Sequence, residues 1–224
     1  LSAYCYTGAF EVNAARAGAA TLLGWDSSEP ALAQARLHHE WNPSGVPATY
    51  EAVDVPRRFR LARDRRESWD LIILDPPRLV TSRTTLEKGL RAYKDINLLA
   101  IKLLTNGGIL ATFSCSGLVG MEDFRKMLGW AAHDAGRRVR ILEVLGQPAD
   151  HPVPVEAPEC EYLKDSCAWP TDPWLLILWL AGCRGGEDAG MHQDVQLSMS
   201  RALLACRGLS EIGDVLLSFG TRLG

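Results

Sequence analysis

Leu71-Ile72-Ile73-Leu74-Asp75-Pro76-Pro77 and Ile109-Leu110-Ala111-Thr112-Phe113-Ser114-Cys115-Ser116-Gly117 bound the stretch that decides the fold. Each opens on a short apolar run without polar alternation, the pattern of a strand buried on both faces. Between them, Leu90, Tyr93, Asn97, Leu98, Ile101 and Leu104 recur at helical spacing within Leu86 to Leu104. Strand, helix and strand make a parallel unit with a right-handed crossover. Ligands of open parallel sheets bind beyond the carboxyl ends of the strands. Asp75 and Cys115, an acid and a thiol at two such ends, are therefore expected to face one crevice.

Upstream, Leu1 to Cys5 reads as the tail of a strand, Tyr6-Thr7-Gly8-Ala9-Phe10 as a turn, and Glu11 to Ala17 as a helix ended by Gly18. Ala20 to Trp25 reads as a second strand closing on Asp26. Ser27 or Ser28 then caps a helix to about His39, with Pro30 in its first turn and His38 and His39 on its face. A third strand spans about Ala48 to Val53, followed by Asp54 and an arginine-rich helix from Pro56 to Arg66. Downstream, Met121 to Ala135 reads as a helix ended by Gly136, and Val139 to Leu145 as a strand. This alternation predicts an α/β fold with a doubly wound, mostly parallel sheet. Asp26 and Asp54 stand at strand ends, where an acid either receives ribose hydroxyls or an adenine amine, or caps the next helix. G-x-G-x-x-G is absent and the first turn holds only Gly8, so spacing by itself indicates a nucleotide-like ligand and no more.

The 224 residues are 47% hydrophobic and 23% charged, the balance of a globular domain. A net charge of −3 argues against strong nonspecific binding to nucleic acid, which needs surplus Lys and Arg. Two local basic runs stand out, Arg57 to Arg66 and Arg137 to Arg140, read either as solvated helix faces or as an RNA-contacting patch. Six cysteines without C-x-x-C spacing argue against a zinc site and fit reduced thiols in the cytoplasm, with no metal expected. Trp174 to Leu180 is the most apolar run and far shorter than the ~20 residues of a membrane helix, so no membrane partner is expected. The chain opens at Leu1 inside an apolar run, which reads as a truncation point.

Five segments, taken in order, carry a resemblance: Cys5-Tyr6-Thr7-Gly8-Ala9-Phe10, Asp26-Ser27-Ser28-Glu29-Pro30-Ala31-Leu32, Leu74-Asp75-Pro76-Pro77-Arg78, Tyr93-Lys94-Asp95-Ile96-Asn97 and Phe113-Ser114-Cys115-Ser116-Gly117. Gly146 to Pro152 and Glu161-Tyr162-Leu163-Lys164 extend it. The chain resembles the S-adenosylmethionine-dependent cytosine-C5 methyltransferases of bacterial 23S-type ribosomal RNA. The resemblance implies a class I, Rossmann-like methyltransferase fold, preceded in that family by an RNA-binding PUA domain and a linker domain absent from these residues. It implies S-adenosylmethionine as cofactor and large-subunit ribosomal RNA as partner. Tyr6, Thr7, Gly8 and Phe10 would line the methionine side of the cofactor, with Asp75 and Pro76 also against it. Asp26 would take the ribose hydroxyls and Asp54 the adenine edge. Ala9 stands where the family often has a second glycine.

Asp75 and Cys115 would be the catalytic pair. Cytosine C5 is a poor nucleophile until a thiolate adds at C6 and turns C5 into an enamine carbon. A carboxyl group near N3 and the exocyclic amine can exchange the proton that stabilises this adduct, and a partly dry crevice would raise its pKa. Lys94 and Asp95 read as a solvated helix face with RNA or cofactor contact as the alternative, and His151 as a loop histidine near the target base or without a role.

The resemblance ends at Lys164, so residues 1–164 read as the catalytic domain and 165–224 as an atypical tail from a frameshift or fusion. The last apolar strand of the sheet is expected to be missing, with Trp174 to Leu180 as its substitute and a helix from about Val195 to Leu204 beyond. Two alternatives stand beside cytosine-C5 methylation. One is methylation of a guanine or adenine nitrogen, which uses Asp-Pro-Pro without a thiol; the other is a noncatalytic remnant.

Overall fold

A computed structural model describes residues 1–145, 154–156 and 164–171. Its described strands form one sheet: β1 (Ser2–Ala3), β2 (Leu22–Asp26), β3 (Ala48–Ala52), β4 (Trp69–Leu74), β5 (Leu104–Ser114), β6 (Arg138–Leu145) and β7 (Lys164–Thr171). Their order is β3-β2-β1-β4-β5-β7-β6. The first five neighbours are parallel, and β7 runs antiparallel to both β5 and β6. The doubly wound α/β expectation holds. The order reverses at β1, so the carboxyl ends of β1 and β4 flank a crevice of the kind that receives ligands.

Among the described residues, five α-helices cover the sheet: α1 (Ala9–Arg16), α2 (Glu29–Trp41), α3 (Val55–Asp64), α4 (Leu86–Leu103) and α5 (Met121–Ala135). Phe59 of α3, Tyr93 of α4 and Phe124 of α5 are fully buried together with Trp25, Ile72 and Leu110 of the sheet, which makes the main core. On the opposite face, α2 buries Leu32 and Ala35 against Cys5 and Tyr50, and α1 buries Ala14 and Ala15 against Leu22. Local chemistry sets the helix ends. Ser28 Oγ accepts the Ala31 N–H at 3.3 Å, with Pro30 in the first turn of α2. Gly136 closes α5 in the left-handed region at φ 69°.

The expectation that the last strand is missing after Lys164 is corrected. Lys164–Thr171 fills that place, pairing Leu110 with Ala168 on one side and Ile141 with Ala168 on the other. The segment Lys-Asp-Ser-Cys-Ala-Trp-Pro-Thr lacks the apolar run of a buried strand, yet backbone partners on both edges hold it in the sheet. The strand expected from Trp174 and the helix expected from Val195 lie outside the described residues. β5 also begins earlier than its apolar run, at Leu104, passing through Gly107 at φ 76° beside a register shift opposite Trp69 and Leu71.

One buried acid was not legible. Glu11, in the first turn of α1, is 2% exposed, and neither carboxyl oxygen has a hydrogen bond of ordinary geometry. It is packed so tightly against β2 that a Cβ on Gly24 would meet Glu11 Oε1 at 2.8 Å, Cys5 Sγ at 2.9 Å and Tyr50 Cδ1 at 2.6 Å. Burial pushes this carboxyl up to about 7. The folded protein therefore holds a proton that the unfolded chain releases near 4.5, and stability falls as pH rises from there through about 7. Glu11→Gln is expected to stabilise the chain at pH 8 by about 1–3 kcal/mol and to change little at pH 5. Urea denaturation at the two pH values checks this.

Candidate active site

The first loop is pinned from three sides. Tyr4 and Tyr6 turn the chain through the left-handed region at φ 64° and 48°. The Tyr4 and Cys5 N–H groups both donate to Trp25 O, at 2.8 and 3.0 Å. The Tyr6 N–H donates to Asp26 Oδ2 and the Ser28 N–H to Asp26 Oδ1, each at 2.9 Å. His38, expected only as a residue of a helix face, reaches back from α2 to place Nδ1 2.8 Å from Thr7 O. Gly8 sits at φ 80°, and a Cβ there would lie 2.9 Å from Ala35 Cβ, so both the backbone and the space require glycine. Phe10 packs on Phe113 of β5 with ring centroids 5.6 Å apart. Tyr6, Thr7, Gly8, Phe10 and Asp26 thus form one connected rim.

Asp54 realises its capping alternative, its Oδ1 accepting the Arg57 N–H at 2.8 Å at the start of α3. A carboxylate offers roughly four lone-pair sites. Asp26 commits two to backbone N–H groups and Asp54 commits one, and neither side chain is buried. The remaining lone pairs suit the hydroxyls of a ribose and an exocyclic amine, while the exposed Tyr6 ring, 67% accessible, offers an apolar surface. This donor set fits S-adenosylmethionine.

Asp75 follows β4 directly, and its N–H donates to Ala3 O at 3.3 Å. Burial pushes its carboxyl up to about 6, from an ordinary 3.8. Cys115 follows β5 directly, one strand over, where Leu74 pairs with Thr112. Its thiol lies 4.0 Å from Pro76 O and is only half-buried. The sulfur is therefore neither sunk in the core nor on the far rim. Cys5 contrasts with it: 3% exposed, and pushed far above the ordinary thiol range by burial, it is packing.

The two loops that carry Asp75 and Cys115 share a buried tie. Ser116 Oγ accepts the Val80 N–H at 3.2 Å from the Asp-Pro-Pro loop and lies 2.9 Å from Tyr93 Oη on α4. Below it, Asn97 Nδ2 donates to Tyr93 O and Thr112 Oγ1 donates to Asn97 Oδ1, both at 2.8 Å. Tyr93, Asn97, Thr112 and Ser116 are all fully buried. In the sequence Ser116 stands as a neighbour of the thiol, and Tyr93 and Asn97 as part of a helical stripe and the ends of one segment of the resemblance; nothing there links the three. Ser116→Ala would strip the Val80 N–H and Tyr93 hydroxyl of their buried partner. The expected loss is about 1–3 kcal/mol of stability, read as a lower urea midpoint with an unchanged m-value.

Lys94 forms an ion pair with Asp134 of α5, while Asp95 is exposed. His151 lies outside the described residues. Among the described residues, no group of three or more His, Cys, Asp or Glu side chains is placed to hold a metal ion, and no helix is long and apolar enough to cross a membrane.

No family model matches the chain. Curated relatives do. The ribosomal RNA large subunit methyltransferase I of Photobacterium profundum is 44% identical over 167 residues, which is 73% of this chain and 42% of that protein. The protein of the same name from Escherichia coli is 45% identical over 165 residues, with the same coverage. The chain thus spans about two-fifths of the length of the curated relatives it matches. Among solved structures, a protein from Streptococcus mutans described as a SAM-dependent methyltransferase superposes with a TM-score of 0.64 at 23% identity, over 75% of this chain and 43% of that one. A methyltransferase complexed with SAH gives 0.64 at 22% identity, over 75% and 44%. A SAM-dependent methyltransferase from Agrobacterium tumefaciens gives 0.55 at 16% identity, over 77% and 55%. The fold is the class I, Rossmann-like methyltransferase fold.

Proposed function

We propose that this chain carries the catalytic domain of an S-adenosylmethionine-dependent methyltransferase acting on C5 of a cytosine in large-subunit ribosomal RNA. The observation that carries the reading is the half-buried Cys115 thiol beside the Asp75-Pro76-Pro77 loop, 4.0 Å from Pro76 O. Around it stand an acid whose burial keeps it partly protonated near neutrality and a first loop with the donor set for an adenosine ligand. The relatives named for ribosomal RNA methylation, similar over 73% of this chain, support the same substrate.

When bound, S-adenosylmethionine supplies an electrophilic methyl group. Asp26 holds the ribose hydroxyls, Asp54 the adenine edge, and Tyr6, Thr7, Gly8, Phe10 and Pro76 enclose the methionine side. The Cys115 thiolate forms a bond to C6 of the cytosine with its own electron pair, and the C5=C6 π pair that it displaces moves through C4 toward N3. The protonated Asp75 carboxyl delivers a hydrogen bond or a proton at N3, holding the charge that the addition creates. The enamine carbon C5 would then accept the methyl group, the sulfonium S–CH3 bond breaking as C5–CH3 forms and S-adenosylhomocysteine leaving. A base then removes the C5 proton, the C5–C6 double bond reforms, and the Cys115 sulfur leaves. A cytosine within a helix must first be extruded to reach the sulfur. Such chemistry belongs in the cytoplasm, where ribosomal RNA is accessible and thiols stay reduced.

The test is transfer of labelled methyl from S-adenosylmethionine to unmodified large-subunit ribosomal RNA, with nuclease digestion to identify the product. 5-Methylcytidine is expected. A methylated guanine or adenine nitrogen would replace the reading with an N-methyltransferase, and cofactor binding without transfer would replace it with a noncatalytic one.

A further inference from the structure

The chain is acidic overall, yet its positive charge is not spread evenly. Residues 55–63 and 76–94 together hold nine Lys and Arg against a single acid, Glu87. The rest of the chain holds 15 Lys and Arg against 26 Asp and Glu. The fold brings these two distant segments to one place. The first is α3 up to Arg63, short of its last residue Asp64, and the second is the β4–α4 connection with the first half of α4. α3 packs against α4 on the same face of the sheet. Both helices follow parallel strands, so both begin at the carboxyl rim that carries Asp75 and Cys115.

Not all nine charges are available. Arg58 turns inward over the Trp25 ring, 4.4 Å from its centroid, and pairs with Glu51 and Glu67. Arg63 pairs with Asp64, Arg91 with Glu87, and Lys94 with Asp134. Arg57, Arg60, Arg78, Arg83 and Lys88 remain, all exposed and without an ion pair to a described residue. Arg57 and Arg60 share one face of α3 at i,i+3, on the side away from the buried Val55, Phe59 and Ala62. Arg78 stands next to Pro77, on the loop that lies against the Cys115 thiol.

We propose that Arg57, Arg60, Arg78, Arg83 and Lys88 form a phosphate-contacting surface that seats the RNA backbone flanking the target base. This rests on the RNA reading above and adds the surface that reading lacks. The geometry suits a polyanion strung across the rim, because the charges are separated along two helices and a loop instead of converging on one point. They are also arginine-rich, and guanidinium forks match phosphate oxygens. Backbone contacts of this kind position a nucleic acid without reading its sequence. They also reconcile a net charge of −3 with an RNA substrate, since attraction is confined to the side where the base must enter.

The test uses the full chain and fluorescence anisotropy of a fluorescein-labelled, unmodified single-stranded RNA 20-mer, titrated at several salt concentrations. The rim variant is Arg57→Glu, Arg78→Glu and Arg83→Glu together. A control variant, Arg65→Glu with Arg66→Glu and Lys102→Glu, reverses three charges toward the carboxyl ends of α3 and α4, away from the rim. Expected is at least a ~30-fold loss of affinity for the rim variant, with the salt slope reduced by about 3, and at most a ~3-fold loss for the control. Equal losses in both variants would reduce the effect to net charge and overturn the proposal, as would wild-type affinity in the rim variant. Displacement of the RNA by polyglutamate at matched charge would assign the surface to an acidic protein and also overturn it. Anisotropy needs no turnover. A chain that binds RNA through this rim but transfers no methyl group would therefore overturn the reaction and leave the surface standing.

Discussion

Cys115→Ala is expected to abolish methyl transfer, lowering kcat by at least ~10⁴-fold, the scale on which loss of a nucleophile acts. The reason is electronic. Without a sulfur adding at C6, C5 has no enamine character, and correct placement of both substrates does not supply it. Cofactor affinity should stay within about threefold of wild type, because the groups assigned to the cofactor come from the first loop, Phe10, Asp26, Asp54 and Pro76, and of these only Pro76 meets the sulfur, through one long contact at 4.0 Å. Labelled-methyl transfer with calorimetric titration of S-adenosylmethionine separates the two quantities. A variant that still methylates at near the wild-type rate would exclude the thiol mechanism and favour attack by a ring or exocyclic nitrogen. Stability should change little, since the thiol is half-buried and alanine keeps the backbone of the loop.

Asp75→Asn is expected to lower kcat/KM by about 10²–10³-fold, within the range for a positioned acid–base group. The carboxyl sits near a pKa of about 6 because it is buried, so at neutral pH a minority of molecules carry the donor. Acting as a donor, it contributes a limb to the pH profile of kcat/KM that falls as pH rises past about 6, and this limb should vanish in the Asn variant. The same substitution should raise stability. The folded pKa lies above the ordinary value of 3.8, so the ionised carboxyl at pH 8 opposes folding, and an amide should recover about 1–3 kcal/mol. A variant that is more stable and nearly inactive would mark Asp75 as a site where stability is given up for chemistry. A variant that is less stable would mean that the carboxylate has a structural partner.

The β4–α4–β5 unit was readable because its signal is redundant: two apolar runs, a helical stripe and a Pro-Pro turn all agree. Met121–Ala135 was readable to the residue, since Gly136 can close a helix in a way few residues can. What escaped detection depends on partners distant in the chain. Lys164–Thr171 carries no apolar run and includes Pro170, so nothing local marks a strand that exists through pairing with β5 and β6. Glu11 reads as an ordinary acid in a first helical turn, where it complements the helix dipole, and only the tight packing against Gly24 reveals it as buried. At the candidate site, the placement of Asp75 and Cys115 at the ends of two neighbouring strands was legible, but the tie between their loops was not. A serine after a cysteine says nothing about a tyrosine hydroxyl 23 positions away. Asp26 and Asp54 divided where the sequence left both open, Asp54 becoming a helix cap and Asp26 a clamp on the turn of Tyr6.

The antiparallel placement of β7 between β5 and β6 has a consequence for biogenesis. As the chain leaves the ribosome, β5 emerges with one side already satisfied by β4, while its other side waits some fifty residues for its mate. Throughout that interval the nascent domain displays an unpaired row of N–H and C=O groups, a template for any other extended segment nearby. Closure of the sheet is thus a late, long-range event, and folding yield should respond to translation speed and chaperone supply more than to the quality of the core that α3, α4 and α5 have assembled by then.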